Sequence, residues 1–257
     1  MKLITLNTWG GIVFQPLMDF IKKHSVNTDI FCFQEMLFGP KPQFTPVNKA
    51  RENLFTEISA ILPDFVAYKH IPASDHFAGE IVNFGTGQAI FVKNTIKVIN
   101  NGAFKCYDKM FSEIETLQRD SGRVTGNVQH IDLEIGNQIF SILNFHGLWQ
   151  KNTHKADTAE RLRQSEIIKT FLNSKNNKKI LCGDFNLKAD GQSIKILEQG
   201  LVNLVKKYNV LSTRSKFYTK EEKMADYIIV SPDIEVNKFK VFSDDISDHL
   251  PLLVEFK

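Results

Sequence analysis

The chain has 257 residues, 42% hydrophobic and 24% charged, with a formal net charge of +3. That balance supports a sizeable core and excludes both a disordered chain and a binder held to nucleic acid by charge alone, since no long basic run occurs. Three widely spaced cysteines, Cys32, Cys106 and Cys182, imply neither a disulfide framework nor a Cys-based zinc site. Twenty-one phenylalanines point to aromatic packing between layers. No apolar run reaches membrane-spanning length, and Lys2-Leu3-Ile4-Thr5-Leu6 is too short for the apolar region of a signal peptide. The expectation is therefore a cytoplasmic protein without membrane insertion. Nothing in the composition fixes its oligomeric state.

In chain order, Lys2 to Leu6 reads as a strand that ends at Asn7-Thr8-Trp9-Gly10-Gly11, a tight turn leaving the Asn side chain at the strand's end. Pro16 to His24 has Leu17, Phe20 and Ile21 at helical spacing. Asp29 to Phe33 is a second buried strand, closed by Gln34-Glu35. A carboxylate at the end of an apolar strand needs solvent, a cation or donors. Gly39 to Pro46 is a proline-rich loop, and Asn48 to Leu62 reads as a helix with Leu54, Phe55, Ile58 and Ile61 on one face. Phe65 to His70 reads as a strand, Pro72 to Gly87 as a loop carrying His76 and Glu80, and Gln88 to Lys93 and Lys97 to Gly102 as further strands. The mixed, charged stretch from Ala103 to Ser121 has the length of a functional surface loop.

Arg123 to Glu134 and Gln138 to Asn144 read as a hairpin turning at Gly136-Asn137, and the second strand runs into Phe145-His146-Gly147. Thr153 to Leu172 reads as an amphipathic helix, on which His154, Asp157, Arg161 and Gln164 share a polar face. Lys178 to Cys182 is a short buried strand broken by Gly183 and followed by Asp184-Phe185-Asn186. On extended chain Asp184 and Asn186 share a face while Phe185 turns to the other. Taken alone, the pair suits an Asx turn after a core strand better than a site, since Asp and Asn favour turns for local reasons. A helix from about Ser193, a loop from Asn209 to Lys223, and a strand-like Ala225 to Val230 containing Asp226 follow. Val236 to Val241 and Leu252 to Phe256 are the last strands, flanking Ser247-Asp248-His249. No repeat, low-complexity tract or linker divides the chain, so residues 1–257 read as one domain.

Five apolar strands thus begin or end with a metal-compatible or proton-transferring group: Asn7, Glu35, His146, Asp184 with Asn186, and Asp248-His249. A sheet gathers neighbouring strand ends along one edge, which would bring these groups together. The order Asn7, Gln34-Glu35, Asn144-Phe145-His146, Gly183-Asp184-Phe185-Asn186, Asp226 and Ser247-Asp248-His249 resembles the endonuclease/exonuclease/phosphatase superfamily, the deoxyribonuclease-I-like fold.

That resemblance implies a four-layer α/β sandwich, with two mainly antiparallel sheets face to face and helices outside. It also implies a divalent-metal-dependent phosphodiesterase acting by one-step, in-line attack of water. Glu35 is then the principal Mg²⁺ or Mn²⁺ ligand, with Asn7 steadying it and Asp248 a second metal ligand. His249 with Asp226 behind it forms an acid–base dyad, and His146 faces the phosphate from the opposite side. Asp184 orients the water or acts as its base, and Asn186 donates to the phosphoryl group. The expected substrate is a phosphodiester of nucleic-acid or nucleotide-like type. Lys41, Lys49, Arg51, Lys216 and Lys220 would attract it, and Trp9, Trp149 and Tyr218 would stack on bases. Alternative readings are a sphingomyelinase-like enzyme of phospholipid headgroups, an inositol-phosphate phosphoesterase, and a non-catalytic binding module on the same fold.

Overall fold

Apolar strands buried on both faces need cover on both sides, and this sequence supplies it with two sheets and two sets of helices. The computed structural model describes residues 1–46, 48–77, 80–106 and 125–257, with the side chains of residues 73–82 outside the description. The first sheet has strand order β11-β12-β1-β2-β4-β3, from β1 (Lys2–Asn7), β2 (Ile30–Phe38), β3 (Phe65–Phe77), β4 (Glu80–Lys93), β11 (Val236–Val241) and β12 (Leu252–Phe256). The second has order β5-β6-β7-β8-β10-β9, from β5 (Lys97–Lys105), β6 (Asn127–Ile135), β7 (Gln138–His146), β8 (Lys178–Asp184), β9 (Val202–Asn203) and β10 (Asp226–Val230). The pairs β1–β2 and β7–β8 are parallel, and the remaining pairs are antiparallel.

Alternation along β2 explains the layering. Ile30 and Cys32 pack into the core shared with the second sheet. Phe31 and Phe33 point the other way, against Leu17, Phe20 and Ile21 of helix α1 (Phe14–Ser25) and Leu54 and Ile58 of helix α2 (Leu54–Ile61). On the second sheet, α3 (Ala159–Ser174), α4 (Gln192–Glu198) and α5 (Leu204–Lys207) contribute Ile168, Leu172, Ile194, Leu197, Leu204 and Val205 to its apolar packing. The result is the four-layer α/β sandwich expected from the resemblance. At one end the inter-sheet core turns polar: Gln34 Nε2 donates to Asn144 Oδ1 at 2.6 Å, and Asn144 Nδ2 donates to the carbonyl of Phe33 at 3.1 Å. These buried amides tie the sheets together directly beneath the strand ends that carry the polar groups.

Several boundaries differ from the sequence reading. The expected loop from Pro72 to Gly87 is instead part of a long β3–β4 hairpin, because cross-strand pairing overrides the local turn signals. Pro72 sits at a register shift between His70 and Ala73, and Gly87 is needed there: an added Cβ would lie 2.0 Å from the carbonyl oxygen of His70. The side chains of His76 and Glu80 lie outside the described residues. Of the stretch from Ala103 to Ser121, residues 103–105 extend β5 and residues 107–124 lie outside the description. Helix α2 starts at Leu54 rather than Asn48, since Lys49 has φ 55° and Phe44 pairs antiparallel with Arg51. Helix α3 starts at Ala159 rather than Thr153. Asn152, His154 and Lys155 all have left-handed φ (62°, 48° and 60°), which no right-handed helix accommodates, and the Thr158 side chain caps the later start by accepting from Arg161 N.

Candidate active site

Strand register brings three of the polar positions side by side. His146 pairs with Asp184 across β7 and β8, and Asp184 pairs with Asp226 across β8 and β10. In the facing sheet Asn7 pairs with Gln34, placing Glu35 one residue beyond. Glu35 sits in a bulge, between the register at Phe33 and the register at Met36, with φ 54°. An extra residue in a left-handed conformation re-aims a side chain, and here it turns the carboxylate toward the second sheet. Asn7 closes the gap: its Nδ2 donates to Glu35 Oε1 and to Asp184 Oδ2, each at 3.1 Å. Its Oδ1 accepts from Trp9 N at 3.0 Å, which holds the amide in that orientation.

Gly183 and Gly147 allow the turn after β8 to pack tightly. Gly183 has φ 131°, and a Cβ there would lie 2.1 Å from the carbonyl oxygen of Phe145. A Cβ on Gly147 would lie 1.9 Å from that of Phe185. Phe185 is fully buried against Phe145 and Tyr227, with ring centroids 4.9 and 5.1 Å away. Asp184 and Asn186 both border one cavity of about 40 Å³, together with Glu35, His146, Asp248 and His249. Asn186 Nδ2 donates to the carbonyl of Gly147 at 3.1 Å and to Asp184 Oδ2 at 3.3 Å.

His249 Nδ1 lies 2.8 and 2.9 Å from the two oxygens of Asp226, and its Nε2 lies 3.6 Å from Asp184 Oδ2. His146 Nε2 approaches Glu35 Oε1 at 3.8 Å and Asp184 Oδ2 at 3.9 Å. Both imidazoles therefore face Asp184. Burial and Arg214 push the His249 pKa down, but Asp226, Asp248 and Asp184 outweigh them and hold it above the ordinary value. Burial favours the neutral form of Asp184; His249, Arg214, His146 and Lys155 overcome it and hold the carboxyl well below the usual carboxylate range.

The chemistry of the donor set fits a hard divalent cation. Two carboxylates, Glu35 and Asp184, converge on the Asn7 amide nitrogen and the His146 imidazole. Asp184, Asp226 and His249 also bring donor atoms within 4.8 Å of one another. Asp226 is engaged with His249 Nδ1, so that cluster acts as a dyad beside a carboxylate. Asp248 is already paired: Arg214 Nη1 donates to its Oδ2 at 3.1 Å.

Two cations on the cavity wall were not singled out from sequence. Arg214 and Lys155 are each 8% exposed and border the same cavity. Arg214 also contacts His249 Nε2 through Nη1. Lys155 has its pKa lowered to about 8, by burial and then by Arg214, against the pull of Asp184, Asp226 and Glu222. Neither had a local signal, since both lie in irregular chain whose course depends on tertiary contacts. Of the basic residues that sequence brought forward, Lys220 borders the cavity and Lys216 pairs with Asp245 at 2.8 Å. Arg51 is committed to Glu57 at 2.6 Å, and Lys41 and Lys49 are exposed. Trp149 and Tyr218 line the cavity, whereas Trp9 packs on Phe217 with centroids 6.2 Å apart. The four residues expected to share a polar helical face do not: His154 and Asp157 precede α3, and Arg161 and Gln164 on it are buried. Arg161 Nε donates to the carbonyl of Leu148 at 3.3 Å, Gln164 Oε1 accepts from Leu148 N at 2.8 Å, and Asp157 caps α4 through Gln192 N at 2.6 Å.

Comparison with known proteins agrees with this architecture. The structure is similar along its whole length to an endonuclease/exonuclease/phosphatase family protein from Leptotrichia buccalis (21% identity, TM-score 0.68, 100% of this chain and 99% of that one). It is also similar to a mannosyl-6-phosphatase from Bacteroides thetaiotaomicron (16%, 0.66, 100% and 99%) and to humanized D. rerio TDP2 (12%, 0.66, 100% and 98%). No curated protein sequence matches the chain. A family model does, from residue 4 in the first strand to residue 249 at the dyad histidine, and the chain belongs to the Endonuclease/Exonuclease/phosphatase family.

Proposed function

We propose that the protein is a divalent-metal-dependent phosphoesterase, using Mg²⁺ or Mn²⁺, that splits a P–O bond of a nucleic-acid or nucleotide-like ester in one step. The observation that carries this reading is the convergence of the His249–Asp226 dyad and His146 on Asp184, with Glu35 joined to Asp184 through the Asn7 amide. Glu35, supported by Asn7 and with Asp248 nearby, would hold the cation. When bound, it supplies Lewis-acid polarisation of a phosphoryl oxygen.

The chain's own residues do the rest. Asp184, held ionised, accepts a hydrogen bond from the attacking water, points its oxygen at phosphorus and takes the water's proton as the new P–O bond forms. The water oxygen bonds to phosphorus as the ester oxygen leaves. His249, whose proton is retained by Asp226, and His146 on the other side carry the protons that neutralise the phosphoryl and leaving oxygens. Asn186 gives up its longer contact with Asp184, at 3.3 Å, and donates to a phosphoryl oxygen instead. Trp149 and Tyr218 at the cavity wall supply faces for a base.

The test is hydrolysis of p-nitrophenyl phosphate and bis-p-nitrophenyl phosphate with Mg²⁺ or Mn²⁺, repeated with chelator, followed by a screen of DNA, RNA, lipid and sugar phosphates under the same metal. Turnover that survives chelation would remove the cation from the mechanism.

A further inference from the structure

The reaction above gives Arg214 and Lys155 no contact with substrate: they help to hold Asp184 ionised, and Arg214 also pairs with Asp248 at 3.1 Å. Two charges buried beside one cavity still cost free energy, and an anion bound there would offset more of it. Arg214 is rigidly delivered. Its loop is stitched to the dyad segment by Leu250 N to Thr213 O at 2.8 Å and Ser215 N to Asp248 O at 3.2 Å, and Arg214 itself forms a bridge with His249. The guanidinium lies over the Tyr218 ring, 4.2 Å from its centroid. Its Nε is buried without a hydrogen-bond partner among the described residues. Lys155 Nζ lies 5.3 Å from the same ring and donates to Met224 O at 2.8 Å, one of the three bonds an ammonium can make. The turn that brings it there holds three non-glycine residues at left-handed φ, and Arg161 clamps it through Ala156 O at 2.6 Å and Thr153 Oγ1 at 2.9 Å. Strain of that kind persists only where the surroundings enforce it.

The charge count separates two substrate classes. A phosphate inside a diester has one negative charge and two non-bridging oxygens. A terminal phosphate has three, with a charge of about −1.5 to −2 near neutral pH. His146, His249 and Asn186 already provide donors for two oxygens. A further cationic wall on the same cavity matches the extra oxygen and extra charge of a terminal phosphate better than an uncharged second ester substituent.

We propose that Arg214 and Lys155 grip the third non-bridging oxygen of a terminal phosphate, so that phosphomonoesters are preferred over internal diesters. This rests on the phosphoesterase reading and narrows its substrate class from the diester expected from sequence.

The experiment compares kcat/KM for p-nitrophenyl phosphate and bis-p-nitrophenyl phosphate, at one Mn²⁺ concentration, in the wild type, Arg214→Met and Lys155→Met. Calorimetry with inorganic phosphate and with dimethyl phosphate, in chelator, is run alongside. The wild type should favour the monoester at least tenfold, and each variant should lower the monoester-to-diester ratio at least tenfold. Inorganic phosphate should bind the variants at least tenfold more weakly than the wild type, and dimethyl phosphate weakly throughout. A wild type that favours the diester overturns the proposal. So do equal losses on both esters, which would make Arg214 a positioning residue acting through Asp248 and His249. If Arg214→Met fails to fold, Lys155→Met alone decides by the same ratio. Hydrolysis of neither ester, with phosphate binding still lost in the variants, would refute the phosphoesterase reading and leave the anion grip standing.

Discussion

Asp226→Asn isolates what the dyad contributes, because asparagine keeps the shape and one acceptor while removing the charge. At the observed 2.8 Å, a carboxylate and an imidazolium attract by about 6 kcal/mol with an effective dielectric near 20. That attraction, with help from Asp248 and Asp184, overcomes burial and Arg214 at His249. If half of it is felt in the transition state, about 3 kcal/mol is lost, which is roughly a factor of 10² in rate. Loss of the tautomer preference extends the expected range to about 10²–10⁴. The assay is kcat/KM on p-nitrophenyl phosphate with Mn²⁺, paired with thermal unfolding to establish that the variant is folded. A folded Asp226→Asn protein that loses less than tenfold would refute the assignment of Asp226 to His249.

Glu35→Ala should lower turnover at least ~100-fold with folding intact, and excess Mn²⁺ should restore little of it; full rescue by metal would count against Glu35 as ligand. Gly183→Ala should destabilise by about 3 kcal/mol or more, measured by urea unfolding, because φ is 131° and the new Cβ meets backbone at 2.1 Å. A near-neutral result would mean that β7 and β8 can separate. Asp132 accepts from Ser141 at 2.6 Å, Lys175 at 2.8 Å and Asn100 at 3.0 Å, so Asp132→Ala should remove about 2–4 kcal/mol and leave kcat unchanged. His130, packed 4.9 Å from the Phe171 ring, has its pKa lowered by burial and then by Lys175. The unfolded chain therefore takes up a proton first. Stability is complete above pH 6.5 and declines as pH falls from there toward the folded pKa. His130→Gln should flatten that part of the pH profile in urea midpoints, and an unaltered slope would exclude His130 as its source.

The polar strand ends were legible in sequence because each interrupts an apolar run: Glu35 closes Ile30-Phe31-Cys32-Phe33, and Asp184 follows Ile180-Leu181-Cys182-Gly183. Period-two alternation and burial of apolar strands are local enough to read one segment at a time, and the order of the motifs carried the fold. Tertiary structure alone decided how far β3 and β4 extend, since their pairing with each other outweighs Pro72, Gly85 and Gly87. It alone decided that Arg161 and Gln164 are buried clamps rather than a solvated face, because a helix pattern does not say which loop lies against it. Lys155 and Arg214 entered the cavity wall the same way. Their positions follow from a left-handed turn and from hydrogen bonds to residues more than thirty positions away in sequence, and contacts of that range leave no mark on the residues beside them.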